Sequence, residues 1–426
     1  MVVRLQFQGI RCFSAPQDTV IRPVTLLVGE NSSGKTTFLA LYQIASAIIG
    51  GFAPEVPFNE PPFLLGAYDQ IASYRGGRAG RAKSFSVTVS VDADPRGGSV
   101  RAEFVSRNGQ PSLRAWRLAV DSLVWQVTSN GSRYPASMSW ESPHGRTEFP
   151  ITRWFDLEQI MQLPVKYWAE TMGLKESDVV FSQSHLNSLR GAWGSIRTRF
   201  GVRTYAFAPI RTSPQRTYDP VSAEPKPEGS HVPMLLARLS HAPAEGQWAA
   251  IKSALEEFGF SSGLFEQVEV IRKGKKESDP FQIGIKSGGP AFNLVDVGYG
   301  VSQALPILVD TLQRSPVNEV FLLQQPEVHL HPRAQAELGS FFARRAGRRR
   351  RFVIETHSDY LVDRIRMEAR RGKPLRPEDV SLLYFERDEH GATIHNLELD
   401  KDGSITNPPT GYRQFFLEEE RSLLGV

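Results

Sequence analysis

Several stretches of the chain are almost purely apolar and short enough to be strands: Val24-Thr25-Leu26-Leu27-Val28, Val320 to Leu323, Phe352-Val353-Ile354 and Leu382-Leu383-Tyr384-Phe385. Helical patterns come between them, with apolar residues at helical spacing after Thr37, and helices expected from about Pro332 and from Ser358. Strands that alternate with helices predict a parallel α/β sheet. A different pattern runs from about 84 to 145. There, bursts such as Phe85-Ser86-Val87-Thr88-Val89-Ser90-Val91 and Leu123-Val124-Trp125-Gln126-Val127 alternate apolar with polar between Gly, Pro, Asn and Asp, which predicts an antiparallel meander.

Residues 151–200 read as helical, with Phe155, Leu157, Ile160, Met161 and Leu163 on one stripe. Tyr205-Ala206-Phe207-Ala208 reads as a buried strand, 213–230 as a flexible loop, 232–260 as helix, and Phe415 to Leu424 as a tail helix. The chain carries no heptad seam, internal repeat or long low-complexity segment. The expected organisation is an α/β core assembled from both ends: 1–83 as its N-terminal part, 84–200 as a β-meander with a helical insertion, and 201–426 as its C-terminal part.

At 426 residues, 40% hydrophobic and 23% charged, the composition is that of an ordinary globular protein. Its single cysteine, Cys12, excludes an internal disulfide and suits a reducing cytoplasm. The first residues, Met1 to Phe7, alternate like a strand and lack the apolar core of a signal peptide. No membrane span is expected: the best candidate, Leu39 to Ala53, is interrupted by Gln43 and Gly50-Gly51. Much of the net charge of +4 sits in Arg344-Arg345 and Arg348-Arg349-Arg350-Arg351. Those arginines read equally as a nucleic-acid or acidic-partner patch and as a solvated helix end.

The sharpest motif follows the first apolar strand: Gly29-Glu30-Asn31-Ser32-Ser33-Gly34-Lys35-Thr36, then Thr37 and the helix. Strand, glycine loop and helix form the context that a phosphate-binding loop requires. Gly29 and Gly34 let the backbone curl so that N–H groups face phosphate oxygens, and the helix adds its positive end. Lys35 supplies a cation for the β/γ-phosphates, and the Thr36 hydroxyl a ligand for Mg²⁺. ATP and Mg²⁺ are therefore the expected ligands.

Val320 to Leu323 runs into Gln324-Gln325-Pro326-Glu327, the shape of a Walker B strand in which acidic residues hold Mg²⁺ and polarise the attacking water. Here both positions are glutamine, and Glu327 is the nearest carboxylate. The alternative is a core strand with a Pro-Glu turn, although Val328-His329-Leu330-His331-Pro332 is unusual for one. Phe352 to Ile354 ends in Glu355-Thr356-His357-Ser358, where His357 reads either as a γ-phosphate sensor or as a cap of the next helix. Gly298, Gly300, Ser302 and Gln303 open the apolar helix Ala304 to Val309 and give a second anion-binding end, a weak signal alone.

Together these segments resemble the ABC-type ATPase heads of the SMC, RecF and overcoming-lysogenization-defect (OLD) group. Leu5 to Phe13 is similar to their first strand and turn. Pro326 to Pro332 and Glu355 to Ser358 resemble the OLD-like branch, as does Phe207 to Pro214. The likeness spans 1–50 and about 200–420. It implies an ABC-type P-loop head that dimerises head-to-tail, with ATP between the Walker A of one copy and the signature of the other. Lys35 and Thr36 would hold phosphate and Mg²⁺, Gln324 would stand at the metal-ligand position and Gln325 at the catalytic one. Ser302 would reach the partner's γ-phosphate, and His357 would be the switch histidine.

Two departures qualify that picture. The Gln324-Gln325 pair implies slow hydrolysis. OLD nucleases also carry a nuclease domain after the ATPase, whereas only about 70 residues follow His357 here, so any effector is expected to be a separate polypeptide. The expected function is an ATP-dependent switch controlling such an effector in anti-phage defence or a DNA transaction. The alternatives are a nucleotide-stabilised scaffold with little hydrolysis, a RecF-like DNA-binding ATPase using the arginine cluster, and a transporter subunit. The last is disfavoured because a plain Leu-Ser-Gly-Gly-Gln signature is missing.

Overall fold

The computed structural model describes residues 2–412 apart from 52–55, 78–79, 93–96, 130–136, 151–163, 166, 168–169, 171–181, 221–223, 242–244, 275, 277, 314–317, 348, 390, 407 and 410. A seven-stranded sheet forms one layer. From one edge its order is Arg203–Phe207, Glu319–Gln324, Arg350–Glu355, Val24–Gly29, Val380–Asp388, Gly391–Leu399 and Ile405–Thr406. The first five strands are mutually parallel, and the last two pair antiparallel. The continuous apolar runs are these parallel strands, buried on both faces as their sequences require.

The alternating segments build a second, eight-stranded antiparallel sheet. Its order is Gly145–Pro150, Ser137–Ser142, Leu123–Thr128, Gln110–Val120, Gly98–Arg107, Ser84–Asp92, Val2–Gln8 and Gln17–Ile21. The meander therefore extends a sheet that the first two strands of the chain begin, through the pairing of Val2–Gln8 with Ser84–Asp92.

The helix Lys35–Ile49 lies where these layers meet, and twelve of its fifteen residues are buried. An ordinary surface helix buries one stripe, so burial on nearly all sides marks an element enclosed in the core. Its C-terminal carbonyls have no helical donors. Trp116 Nε1 donates to Ile48 O at 2.8 Å and Trp193 Nε1 to Ile49 O at 2.9 Å. Trp116 comes from the antiparallel sheet and Trp193 from the helix Gln183–Phe200. Tyr42 stacks on Phe200 with ring centroids 4.2 Å apart and donates to its carbonyl at 2.7 Å.

The other face of the parallel sheet carries the helices Val232–Leu239, Glu245–Ser262, Tyr299–Leu312, Pro332–Arg345 and Asp359–Arg371, which share a separate core. The expected helix over 232–260 is thus two helices, and the loop expected at 213–230 carries no helix or strand among its described residues. A small sheet of Gln267–Arg272, Phe281–Lys286 and Phe292–Asn293 precedes the signature-like segment. The stripe from Phe155 to Leu163 and the tail helix from Phe415 to Leu424 lie outside the described residues. Among the described residues no helix is long and apolar enough to cross a membrane.

Candidate functional site

Gly29, Ser32 and Gly34 all adopt positive φ, at 134°, 60° and 102°, and these values turn the loop back over the start of the helix. Two glycines are needed for space as well as for angle. A Cβ on Gly29 would collide with the Phe385 carbonyl, and one on Gly34 with the Phe13 ring and, at 2.8 Å, with Cys12 Sγ. Ser33 Oγ donates to Glu30 O at 2.7 Å and Arg387 Nη1 to Ser32 O at 3.0 Å, which hold the loop from inside and from the neighbouring strand.

Lys35 is only 3% exposed. Its ammonium donates to Gly29 O at 2.8 Å and Glu30 O at 2.6 Å, spanning the loop that it would neutralise for phosphate. Burial lowers its pKa, while Glu355 and then Glu30 oppose that shift. The Thr36 hydroxyl donates to Glu355, 3.0 Å from Oε1 and 2.8 Å from Oε2. A cleft of about 270 Å³ is lined by Asn31, Ser32, Gly34, Lys35, Thr36 and Thr37 together with Glu355, Arg11 and Cys12. The loop residues named from sequence thus come together, and the cradle fits a phosphate chain.

Arg11 is an addition that the motif did not reveal. Its Nη1 donates to Thr37 Oγ1 at 3.2 Å and its Nη2 to Leu65 O at 3.1 Å, so a second cation borders the cleft. Its signal in sequence was only its place in the turn after the first strand.

Gln324 ends its strand buried, in register with Glu355 on the adjacent strand. Gln325 follows in the left-handed region at φ 42°, and its N–H donates to Glu355 O at 2.8 Å. Glu327 is 7% exposed and accepts from the His357 backbone N–H at 2.8 Å. Burial raises the pKa of Glu327. The His357 N–H, the Glu327 backbone, the Thr356 hydroxyl and the charge of Arg211 act the other way. Burial likewise raises that of Glu355, opposed by Thr36 and Lys35 and reinforced by Glu327. His357 is exposed, and its pKa is held down first by desolvation and then by Lys35, which favours the neutral ring at pH 7. The helix after it is capped by Ser358, whose Oγ accepts from Leu361 N at 3.1 Å, so His357 is not the cap.

Gly298 is the N-cap of the helix Tyr299–Leu312 and stands in open space. Gly300 packs tightly, since a Cβ there would come 2.9 Å from His329 O. Ser302 is 5% exposed, and its hydroxyl donates to Tyr299 O at 2.8 Å within the same helix. It lines a small cavity of about 80 Å³ with Thr212, Ser213 and Pro214, and shares no lining residue with the phosphate-loop cleft. Gln303 is buried and accepts from Arg211 N at 3.2 Å.

In the arginine-rich segment Arg344 and Arg349 are exposed, while Arg345, Arg350 and Arg351 are half-buried. Arg344 donates to Glu337 at 2.7 Å, Arg350 to Gln313 O at 2.9 Å and Arg351 to Thr198 O at 3.3 Å, while Arg345 lies over the Phe341 ring. Arg348 lies outside the described residues.

Residues 177–363 match the family model described as "AAA domain, putative AbiEii toxin, Type IV TA system", and 375–424 match "Protein of unknown function (DUF3696)". The first match begins after the phosphate loop. No curated protein matches the chain. Among solved structures, the chain is similar to an SMC head bound to the C-winged helix domain of ScpA, at 12% identity and TM-score 0.48, covering 94% of this chain and 99% of that one. It is also similar to the SMC head domain from Thermotoga maritima, at 14% identity and TM-score 0.42, covering 93% and 99%. An Smc head domain with a coiled coil and joint from Pyrococcus yayanosii gives 10% identity and TM-score 0.44, covering 99% of each chain. At such scores these likenesses are loose. The loop geometry on a parallel sheet and the AAA-domain match over 177–363 support a P-loop ATPase fold.

Proposed function

We propose that the chain is an ABC-type switch that binds and slowly hydrolyses ATP, closes head-to-tail with a second copy, and controls a separately encoded effector in anti-phage defence or a DNA transaction. The observation that carries this reading is the Lys35 ammonium held over the turned loop at Gly29 and Glu30, beside the Thr36 hydroxyl. A triphosphate entering the cleft would take over those ammonium bonds, with Mg²⁺ held by Thr36 and reached from the end of the Gln324 strand. When bound, Mg²⁺ would neutralise charge on the β- and γ-oxygens.

Gln325 cannot accept a proton, so Glu327 is the candidate base, and its hydrogen bond to His357 ties base and phosphate sensor together. The match of 177–363 to a domain described as "putative AbiEii toxin, Type IV TA system" supports a setting in a toxin–antitoxin or defence system. That Ser302 and Lys35 line different cavities supports a signature that acts on a second copy's nucleotide. The lone Cys12 suits a cytoplasmic setting. A second reading, a scaffold that keeps its nucleotide, is favoured by the buried neutral Gln324 and the amide at Gln325. Steady-state hydrolysis by the purified protein, with light scattering in ATP and in ADP and a pull-down of the genomic neighbour, separates the two. The switch requires turnover and a dimer specific to ATP. A protein that stays bound to one nucleotide without turnover is the scaffold.

A further inference from the structure

We infer that Glu355 is the carboxylate that holds Mg²⁺ in this site, taking over from the strand end where Gln324 stands. The inference rests on the nucleotide reading above. Mg²⁺ is a hard cation that is usually bound by one or two carboxylates together with substrate phosphates. An uncharged Gln324 cannot supply that charge, yet its register partner on the adjacent parallel strand is Glu355. Both carboxylate oxygens of Glu355 lie within 3.0 Å of the Thr36 hydroxyl, the other metal ligand expected of the loop. Glu355 also lines the same cleft as Asn31, Lys35 and Thr36. Among the described residues no group of three or more His, Cys, Asp or Glu side chains is placed to cage a metal, so a cation here would need the nucleotide's oxygens as well.

Electrostatics gives a second, independent reason. Glu355 is 6% exposed, and the cation acting on it is Lys35. A triphosphate would claim that ammonium, leaving the buried carboxylate and the phosphate oxygens facing each other at the wall of the cleft. Such a pair is unfavourable unless a cation lies between them. A divalent ion bridging Glu355 and the phosphates offsets both charges. Mg²⁺ should then strongly tighten ATP binding, and most of that gain should come from Glu355.

The test is calorimetric titration of ATP into the full chain with Mg²⁺ and with EDTA, for wild type and Glu355→Gln. In wild type, Mg²⁺ should tighten binding by on the order of tenfold or more, in line with the loss that follows when a metal site is disturbed. In Glu355→Gln that ratio should fall close to one, while ATP in EDTA binds as well as to wild type or better. Should Glu355→Gln fail to fold, Thr36→Val and Glu355→Asp carry the same comparison and should each lower the ratio. A ratio that survives these changes overturns the assignment, because Glu355 would then only be bracing Thr36 and Lys35. Absence of ATP binding by wild type in both buffers is a different result, and overturns the nucleotide reading itself.

Discussion

Gln324 and Glu355 stand opposite each other at the ends of adjacent parallel strands, and the backbone N–H of the next residue, Gln325, donates to Glu355 O at 2.8 Å. Three residues on, Glu327 accepts from His357 N, so the two strand ends are laced together in both directions. One strand end is neutral at both positions where acids are expected, and the neighbouring end carries a buried carboxylate. The nucleotide cleft is therefore not short of charge. Its negative charge comes from a different strand.

With an amide at Gln325, the proposed base is Glu327, the first carboxylate after the strand end, tied to His357 N. Turnover should be slow, and Glu327→Gln should lower it by a further 10²- to 10⁴-fold, roughly the range that general-base help supplies. The glutamine keeps the oxygen that accepts from His357 N, so ATP affinity should be retained. Rapid hydrolysis that is untouched by Glu327→Gln would assign the base elsewhere.

Arg211 is 1% exposed, and none of its guanidinium nitrogens finds a hydrogen-bond partner among the described residues. Burial lowers its pKa to about 10, so it stays charged at neutral pH, and the charge opposing that shift is Glu327. Removing either group strands a buried charge, and removing both strands none. Arg211→Met, Glu327→Gln and the double variant should therefore show a favourable coupling of roughly 1–3 kcal/mol in thermal or denaturant unfolding. The pH dependence has a definite sign. The folded-state pKa of Glu327 is raised, so its charged form weakens the fold as pH rises through that value, and this cost is absent below its unfolded pKa. Coupling to Arg211 should then grow as pH rises through the folded-state pKa of Glu327 and fade below it. Additive variants at every pH up to the alkaline limit of the fold would show that the two charges do not sense one another.

How much of this was legible in the sequence follows from how local each signal is. The phosphate loop is a local device, and Gly29 to Thr37 could be placed residue by residue. The parallel strands were legible because burial on both faces forces continuous apolar runs such as Val320 to Leu323. Long-range pairing was not legible. Nothing near Ser84 shows that its strand joins Val2–Gln8, and nothing near Glu355 shows that it meets Thr36, 319 positions away. Ser302 shows a different limit. Its place at a helix start predicts an open anion site, but its hydroxyl bonds to Tyr299 O within the helix and packing leaves it 5% exposed.

That geometry decides how the dimer should be tested. Arginine at Ser302 would be forced into the packed side of the helix and would disturb the fold itself. Gly298 is better placed: its φ is −54°, which any residue tolerates, and a Cβ there meets nothing within 4 Å. Gly298→Arg should leave the melting temperature and ATP affinity of the chain near wild type while abolishing the ATP-dependent dimer in light scattering. A dimer that forms normally in Gly298→Arg would remove the signature role of this helix start.

The central claim is that the loop at Gly29–Thr36 binds ATP through Lys35, and titration of ATP into wild type and Lys35→Ala by calorimetry tests it most directly. Lys35 donates to two loop carbonyls that a phosphate would replace, and charge-assisted bonds of this kind are about twice as strong as neutral ones. Wild type should bind ATP, and Lys35→Ala should bind at least about tenfold more weakly, since each 1.4 kcal/mol lost is a factor of ten. Equal affinity in the two proteins, or no binding by wild type, would contradict the account.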